Sequence, residues 1–499
     1  MKRIICFIIL AYIGDNLNAQ TILNNSFESH SDSSVSTPKY WSYSPSAIAS
    51  ARCVNTFSHS GKSSLELSVS DTNNFIFVCN QYCELNVPSP KRIHIVAWLK
   101  TKDCSKGAGL FCTQLNINDK KIDYTSSRQQ EALVKNTRGW TKTELIVLLR
   151  PDVKKIEVAL LLYGAGSVWF DDVSIENFSA NEKKTTPEVA AYLDTLIKDV
   201  RENSLWKDSI DWKVFCSQLK SLADGMQTYH EAQLLANYMI GELKHHGDNH
   251  STFMVPFAVK EMNSSDIMGE GRKFKAEYNG QGIGYVSMPG FATLNDSLGS
   301  AFASNAQQMI KNIDRNNKIC GWIVDLRDDP GGTCVPMIEA LGPILGEGVY
   351  NFDVSLKGDT SIALYKNGEV YVIEMGKKEL VWCKVMNPYK LINENVPVAV
   401  LIGSGCGSSG ECTAASFIGR HDTKLFGQPT AGFTKGNEGF ILPDSSMIII
   451  SSGIQTDRNG KKYPERIFPD VQVGESANDK TDAVRDKATE WLVSFGQCK

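Results

Sequence analysis

Short runs in which apolar and polar residues alternate, broken by Ser, Asn, Gly and Pro, fill the chain from about residue 20 to residue 178. Examples are Ser64-Leu65-Glu66-Leu67-Ser68-Val69, the run 92–99 and the run 156–163. Successive side chains on a strand point to opposite faces, so such runs between turn residues predict an all-β sandwich. The polar stretch 179–188 (SANEKKTTPE) marks a boundary. Beyond it apolar residues recur every three to four positions, at Val189, Tyr192, Leu193, Leu196 and Ile197, then Val214, Phe215, Leu219 and Leu222, then Leu234, Leu235, Tyr238, Met239 and Leu243. That spacing predicts three helices up to His246. Past about Met254 apolar runs at 282–288, 321–326 and 396–402 alternate with helical stretches at 302–313, 337–345 and 411–418, the mark of an α/β core with buried strands. The expected organisation is multidomain: an export signal (1–19), a β-sandwich (20–180), a helical cap (181–254) and an α/β core with a C-terminal helix (255–499).

The N-terminus alters the picture of where this chain works. Met1-Lys2-Arg3, an apolar run from Ile4 to Ile13 and Leu17-Asn18-Ala19 before Gln20 have the layout of a cleaved export signal. The run is well short of the ~20 residues that span a bilayer, so no membrane span is expected and the product is expected in the periplasm or outside the cell. Of the 13 cysteines, Cys6 leaves with the signal, and an oxidising compartment could pair the even number that remains. Cys53, Cys79, Cys83, Cys104 and Cys112 fall in the β-domain, where covalent bracing is expected. With 42% hydrophobic and 22% charged residues the 499-residue chain is folded rather than disordered. A net charge of −4 with no block of Lys or Arg excludes a nucleic-acid footprint.

Candidate chemistry gathers at two glycine turns. The run 396–402 passes through Gly403-Ser404-Gly405-Cys406-Gly407-Ser408-Ser409-Gly410-Glu411 into a helix start. A strand–turn–helix of this kind exposes a hydroxyl beside the first helix amides, which suits a nucleophile and an oxyanion site. Ser408 followed three residues later by Glu411 also fits a capping box, and the two roles can coexist. The second turn, Asp325-Leu326-Arg327-Asp328-Asp329-Pro330-Gly331-Gly332, leaves backbone N–H groups unobstructed. A serine nucleophile needs a base, and four histidines lie outside the β-domain and before the core: His230, His245, His246 and His250.

Two family resemblances follow. Asn25-Ser26-Phe27-Glu28, His59-Ser60-Gly61-Lys62-Ser63-Ser64-Leu65 and Gly166-Ser167-Val168-Trp169-Phe170-Asp171-Asp172-Val173 resemble carbohydrate-binding-module-like jelly rolls. That likeness implies a glycan as partner and Glu28 and Asp172 as candidate ligands of a structural calcium. Asp248-Asn249-His250-Ser251, Asp325-Leu326-Arg327 with Pro330-Gly331-Gly332, Gly407-Ser408-Ser409-Gly410-Glu411, Gly427-Gln428-Pro429-Thr430-Ala431-Gly432 and Pro469-Asp470 occur in that order. Together they resemble the tail-specific, carboxy-terminal-processing serine peptidases, whose core is crotonase-like. In one branch of that family a Lys directly after the T-x-G element is the base. Here Phe433 follows Gly432 and Lys435 is displaced by two positions. His250-Ser251 instead matches the His-Ser pair of the tricorn-like branch.

The resemblance thus implies Ser408 as nucleophile, His250 as general base, Ser251 orienting the imidazole, and a Glu completing a tetrad, with Glu465 preferred over Glu438. Main-chain N–H groups of Gly331 or Gly332 and of Ser409 would form the oxyanion hole. A peptide or protein substrate is implied, with no cofactor for catalysis. The alternative is a catalytically inactive peptide-, lipid- or glycan-binding protein on the same fold. Many relatives carry a PDZ domain before the core, and residues 257–281 are too few to hold one, so the family's preference for C-terminal tails is not expected to carry over. Cys406 and Cys412 flank Ser408 and could pair only by constraining its turn.

Overall fold

The structure, a computed structural model, describes residues 22–30, 37–44, 46–70, 76–85, 92–177, 184–266, 273–355, 360–374, 377–474 and 482–496. The expected export signal lies outside the described residues, as does part of the 179–188 boundary. Contacts divide the chain into two units, one taking the residues up to Leu193 with Asp211–Gly241, the other Asp194–Ile210 with Glu242 onward.

In the first unit nine strands form one sheet: β1 (Ser42–Tyr43), β2 (Ala49–Val54), β3 (Ser64–Val69), β4 (Ile76–Glu84), β5 (Arg92–Leu115), β6 (Lys121–Ser126), β7 (Val134–Leu148), β8 (Lys155–Tyr163) and β9 (Gly166–Asn177). β5 is the organising strand. Residues 92–102 pair with β7 and β9, whereas residues 108–115 pair with β6 and β8. Register shifts between Leu99 and Ala108 separate the halves, and such bulges let one strand serve two layers of a sandwich. Alternation of buried and exposed positions in β2 sends Ala49, Ala51 and Cys53 inward.

The five β-domain cysteines are not bonded to one another, contrary to the expected bracing. All are buried, and all belong to the apolar core. Inward-facing strand positions make them small core side chains. Burial pushes the thiols of Cys53 and Cys83 up to about 12 and about 11, so little thiolate exists to react at neutral pH.

Three helices follow, α1 (Pro187–Asn203), α2 (Trp212–Ala223) and α3 (Tyr229–His245). The unit boundaries fall inside α1 and α3, so the helical segment is shared between the units. Within the first unit, Arg150 donates to Asp123 at 2.6 Å and to the Tyr238 carbonyl, with its guanidinium 3.7 Å from the Tyr238 ring. Gly241 makes that approach feasible, because a Cβ there would lie 1.9 Å from Arg150 Nη2.

The second unit continues with β10 (Thr252–Met254), α4 (Pro256–Ser264), β11 (Lys275–Tyr278), β12 (Ile283–Ser287), α5 (Asp296–Asn316), β13 (Gly321–Asp325) and α6 (Cys334–Leu345). An antiparallel excursion of β14 (Gly348–Ser355), β15 (Thr360–Lys366), β16 (Glu369–Glu374) and β17 (Lys377–Lys384) follows. The chain then returns through β18 (Val398–Ile402), α7 (Ser409–Phe417), β19 (Thr423–Gly427), β20 (Lys435–Ile441), β21 (Met447–Gln455), β22 (Val471–Gln472) and α8 (Ala483–Val493). One sheet runs β11-β12-β13-β18-β19-β22, parallel except at β11.

Both faces of this sheet are buried. Val286, Trp322, Val324, Val398 and Val400 pack with α5, α6 and α7, while Tyr285, Ile323, Ala399 and Leu401 pack with α8. That is why β13 and β18 read as continuous apolar runs. Trp322 is fully buried opposite Gly284, whose absent Cβ would lie 2.5 Å from the indole. The other sheet runs β10-β21-β14-β15-β16-β17, with β20 also on β21. For the site, what counts is that β13 and β18 are adjacent and parallel. The turns leaving their carboxyl ends therefore meet, where open α/β sheets place their ligands.

Candidate active site

Ser408 sits at the N-cap of α7 with φ 52° and ψ −117°, a conformation that costs an L-residue on the order of 1–3 kcal/mol. Its backbone N–H donates to Glu411 Oε2 at 3.0 Å, as in a capping box, while its hydroxyl oxygen lies 2.8 Å from His250 Nε2. The capping geometry and the contact with the imidazole thus coexist at this serine. Glu411 is fully buried and also accepts from Gly432 N–H at 2.9 Å, Phe433 N–H at 2.6 Å and the Thr430 hydroxyl. Through that one carboxylate the elbow is fixed to the Thr430–Phe433 loop.

His250 precedes β10, which pairs with β21, and the same strand β21 carries β20. Two strands therefore bring the imidazole to the elbow. Nδ1 contacts the backbone carbonyl of Lys435 at 3.1 Å. A carbonyl can only accept, so Nδ1 carries the proton and Nε2 presents its lone pair to the Ser408 hydroxyl. The Phe433 ring stands 5.6 Å from the imidazole, centroid to centroid. Burial lowers the His250 pKa below 6.5, outweighing the raising effects of Asp248 and of the Lys435 carbonyl.

Ser251 does not touch the imidazole. Its hydroxyl donates to Asp248 and accepts from Ser451 N–H at 2.9 Å. Asp248, buried, accepts from the N–H groups of His250 and Ser251 at 2.8 and 2.9 Å, which fixes the backbone at the base. Asn249 adds a bond of 3.1 Å to the Gly432 carbonyl. Glu465 and Glu438 are both exposed, and the position a tetrad acid would take beside Nδ1 is held by the Lys435 carbonyl. The displaced lysine thus contributes its main chain.

The two glycines of the second turn differ in role. Gly331 donates its N–H to Asp329 Oδ1 at 3.0 Å. Among the described residues no acceptor engages the N–H of Gly332 or of Ser409, the first residue of α7. Gly332 has φ 131°, and a Cβ there would lie 2.1 Å from the Phe291 carbonyl oxygen. A Cβ on Gly331 would lie 2.7 Å from Ser408 Cβ, so the turn and the elbow are in close approach. The remaining motif residues are scaffold. Arg327 bridges Asp325 and Asp482, both at 2.6 Å, and Asp470 accepts from Leu425 N–H at 2.8 Å.

In the first unit Glu28 accepts from the N–H groups of Lys62 and Ser63 at 2.8 and 3.0 Å, and Asp172 from the Ser60 hydroxyl at 2.6 Å, with His59 Nδ1 2.7 Å from it. Both carboxylates thus anchor one loop. Among the described residues no group of three or more His, Cys, Asp or Glu is placed to hold a metal ion.

The site is thus a buried strand–elbow–helix with a facing imidazole and two amides that no acceptor engages among the described residues. Residues 282–473 match the model of peptidase family S41, so the C-terminal region of this chain carries a peptidase S41 family domain. A nisin-resistance protein of Lactococcus lactis subsp. lactis is 29% identical over 309 residues, covering 62% of this chain and 88% of that protein. A lipoprotein structure from Streptococcus agalactiae aligns with a TM-score of 0.49 and 22% identity over 62% of this chain and 98% of its own. For the β-rich unit, the CBM22-1 xylan-binding domain from Paenibacillus barcinonensis Xyn10C aligns with a TM-score of 0.22 and 16% identity over 31% of this chain and 93% of its own. The molecule is multidomain, an N-terminal β-rich domain followed by an S41 peptidase domain. Among the described residues no helix is long and apolar enough to cross a membrane.

Proposed function

We propose that this chain is an exported serine peptidase that cleaves peptide bonds through an acyl-enzyme. One observation carries the reading: His250 Nε2 lies 2.8 Å from Ser408 Oγ while Nδ1 is committed to the Lys435 carbonyl. As the Ser408 oxygen attacks the carbonyl carbon of the substrate, its proton passes to Nε2. The developing oxyanion is met by the N–H groups of Gly332 and Ser409, with the positive end of α7 behind Ser409. The imidazolium then protonates the leaving amine, and water, deprotonated by the same imidazole, hydrolyses the ester. Nucleophile, base and oxyanion donors all come from the chain itself. Export agrees with the layout of residues 1–19 and with the disulfide at Cys320.

A fluorophosphonate probe tests the assignment. Wild type and Lys435→Ala are expected to label at similar rates, since the lysine acts through its backbone carbonyl, and Ser408→Ala is expected not to label. Loss of labelling in Lys435→Ala as complete as in Ser408→Ala would return the Ser/Lys mechanism.

For the β-rich domain we propose glycan binding. Trp98 stacks on His59 at 3.9 Å, Trp140 meets the same ring edge-on at 5.8 Å, and Phe57 lies exposed under Lys100 at 4.7 Å. Clustered aromatic faces beside polar groups suit the apolar faces of sugar rings. On a glycan array the full chain is expected to bind and Trp140→Ala to bind at least severalfold more weakly. An array on which wild type binds no sugar leaves the domain a spacer.

A further inference from the structure

We propose that Cys334 and Cys412 form a disulfide that ties the oxyanion turn to the nucleophile helix. Cys334 is the first residue of α6 and follows Gly332 by two positions, and Cys412 lies four residues beyond Ser408 in α7. Their sulfurs are 2.6 Å apart, against ~2.05 Å in a formed bond, so closure needs only a small shift of two side chains. The juxtaposition follows from the sheet. Because β13 and β18 are parallel neighbours, the helices that leave their carboxyl ends start side by side. Sequence proximity to Ser408 points instead to Cys406, but that thiol is fully buried, and burial pushes its pKa far up.

Accessibility fits an exchange that begins at Cys334, which is partly exposed, whereas Cys412 is buried. The Cys334 thiolate attacks a low-molecular-weight disulfide such as glutathione disulfide, forms a mixed disulfide and expels one thiol. The Cys412 thiolate then displaces the second. Two protein thiols become one disulfide, and the donor disulfide is reduced to two thiols. The chain between the cysteines spans 78 positions, so the bond closes a long loop and constrains the unfolded chain strongly. In the folded chain it fixes the spacing of the Gly332 and Ser409 amides.

Formation of the bond does not depend on the peptidase reading, and its test does not use activity. The full chain is equilibrated with glutathione disulfide, alkylated and mapped by mass spectrometry beside a dithiothreitol-treated sample. A linked 334–412 peptide in the oxidised sample only, with a melting temperature higher by on the order of 10 °C, is the expected result. Cys334→Ser, a change at the more exposed partner, should abolish the linked peptide and lessen the redox shift in melting, leaving the part due to the disulfide at Cys320. Alkylation of both cysteines in the oxidised sample overturns the proposal, as does an undiminished redox shift in Cys334→Ser.

Discussion

His250→Ala is expected to lower kcat/KM for peptide hydrolysis by roughly 10³-fold or more, with the melting temperature close to wild type. The imidazole is half-buried and is held by one carbonyl and one hydroxyl, so its loss removes the proton acceptor without opening the core. Ser408→Ala should cost about as much, and the double variant little more, because the two groups act as a unit. The pH profile of wild type gives the second arm of the same test. Burial lowers the His250 pKa, and only the neutral ring can take the serine proton. Activity should therefore fall tenfold per unit on the acid side of a midpoint below 6.5 and be at its plateau by neutral pH. A midpoint above 6.5 means that the imidazole is not the titrating base.

The orientation of that imidazole separates this site from a triad with a carboxylate. Replacement of the acid in such a triad costs about 10⁴-fold because the wrong tautomer results. Here a main-chain carbonyl sets the tautomer, so Glu465→Gln, at an exposed position, should stay within about twofold of wild type in the same assay. A loss near 10³-fold in that variant would place an acid at Nδ1.

How far such a site can be read from the chain depends on which interactions are local. The elbow, the double glycine and the His-Ser pair each carry a local pattern, because their geometry is made by two to five consecutive residues. The strands at 282–288, 321–326 and 396–402 were legible for the same reason: burial on both faces leaves continuous apolar runs. The excursion β14–β17 and the strands β20 and β21 were not. Sequences such as Lys-Gly-Asn-Glu-Gly-Phe-Ile of β20 are half-exposed and glycine-bearing, with no run to notice. That gap hid the Lys435 carbonyl, since a backbone acceptor leaves no mark in residue type and its position depends on the pairing of β20 with β21. Choice of a glutamate for the tetrad looked for a residue type, whereas the acceptor beside Nδ1 is a main-chain carbonyl. Cysteine counting misled in the β-domain because parity says nothing about whether strand positions face inward, and inward ones pack as apolar groups.

Glu411→Ala is expected to destabilise the second unit by about 3–5 kcal/mol and to remove labelling at Ser408 along with it. Four donors converge on this carboxylate: the N–H groups of Ser408, Gly432 and Phe433 and the Thr430 hydroxyl. Alanine would leave them without their acceptor inside a buried site, and each orphaned buried group costs roughly 1–3 kcal/mol. The strained φ of Ser408 persists only while its surroundings over-determine it, and the bond from its own N–H to Glu411 is part of that constraint. Glutamine at 411 has the same length but turns one acceptor into an NH₂ facing N–H donors, so it should recover only part of the loss. Chemical denaturation of both variants, followed by labelling at a denaturant-free temperature well below melting, separates a stability effect from a local one. If Glu411→Ala melts like wild type yet labels at the wild-type rate, the carboxylate is not what holds the elbow. If it melts lower but the folded fraction labels normally, the elbow keeps its shape without this carboxylate.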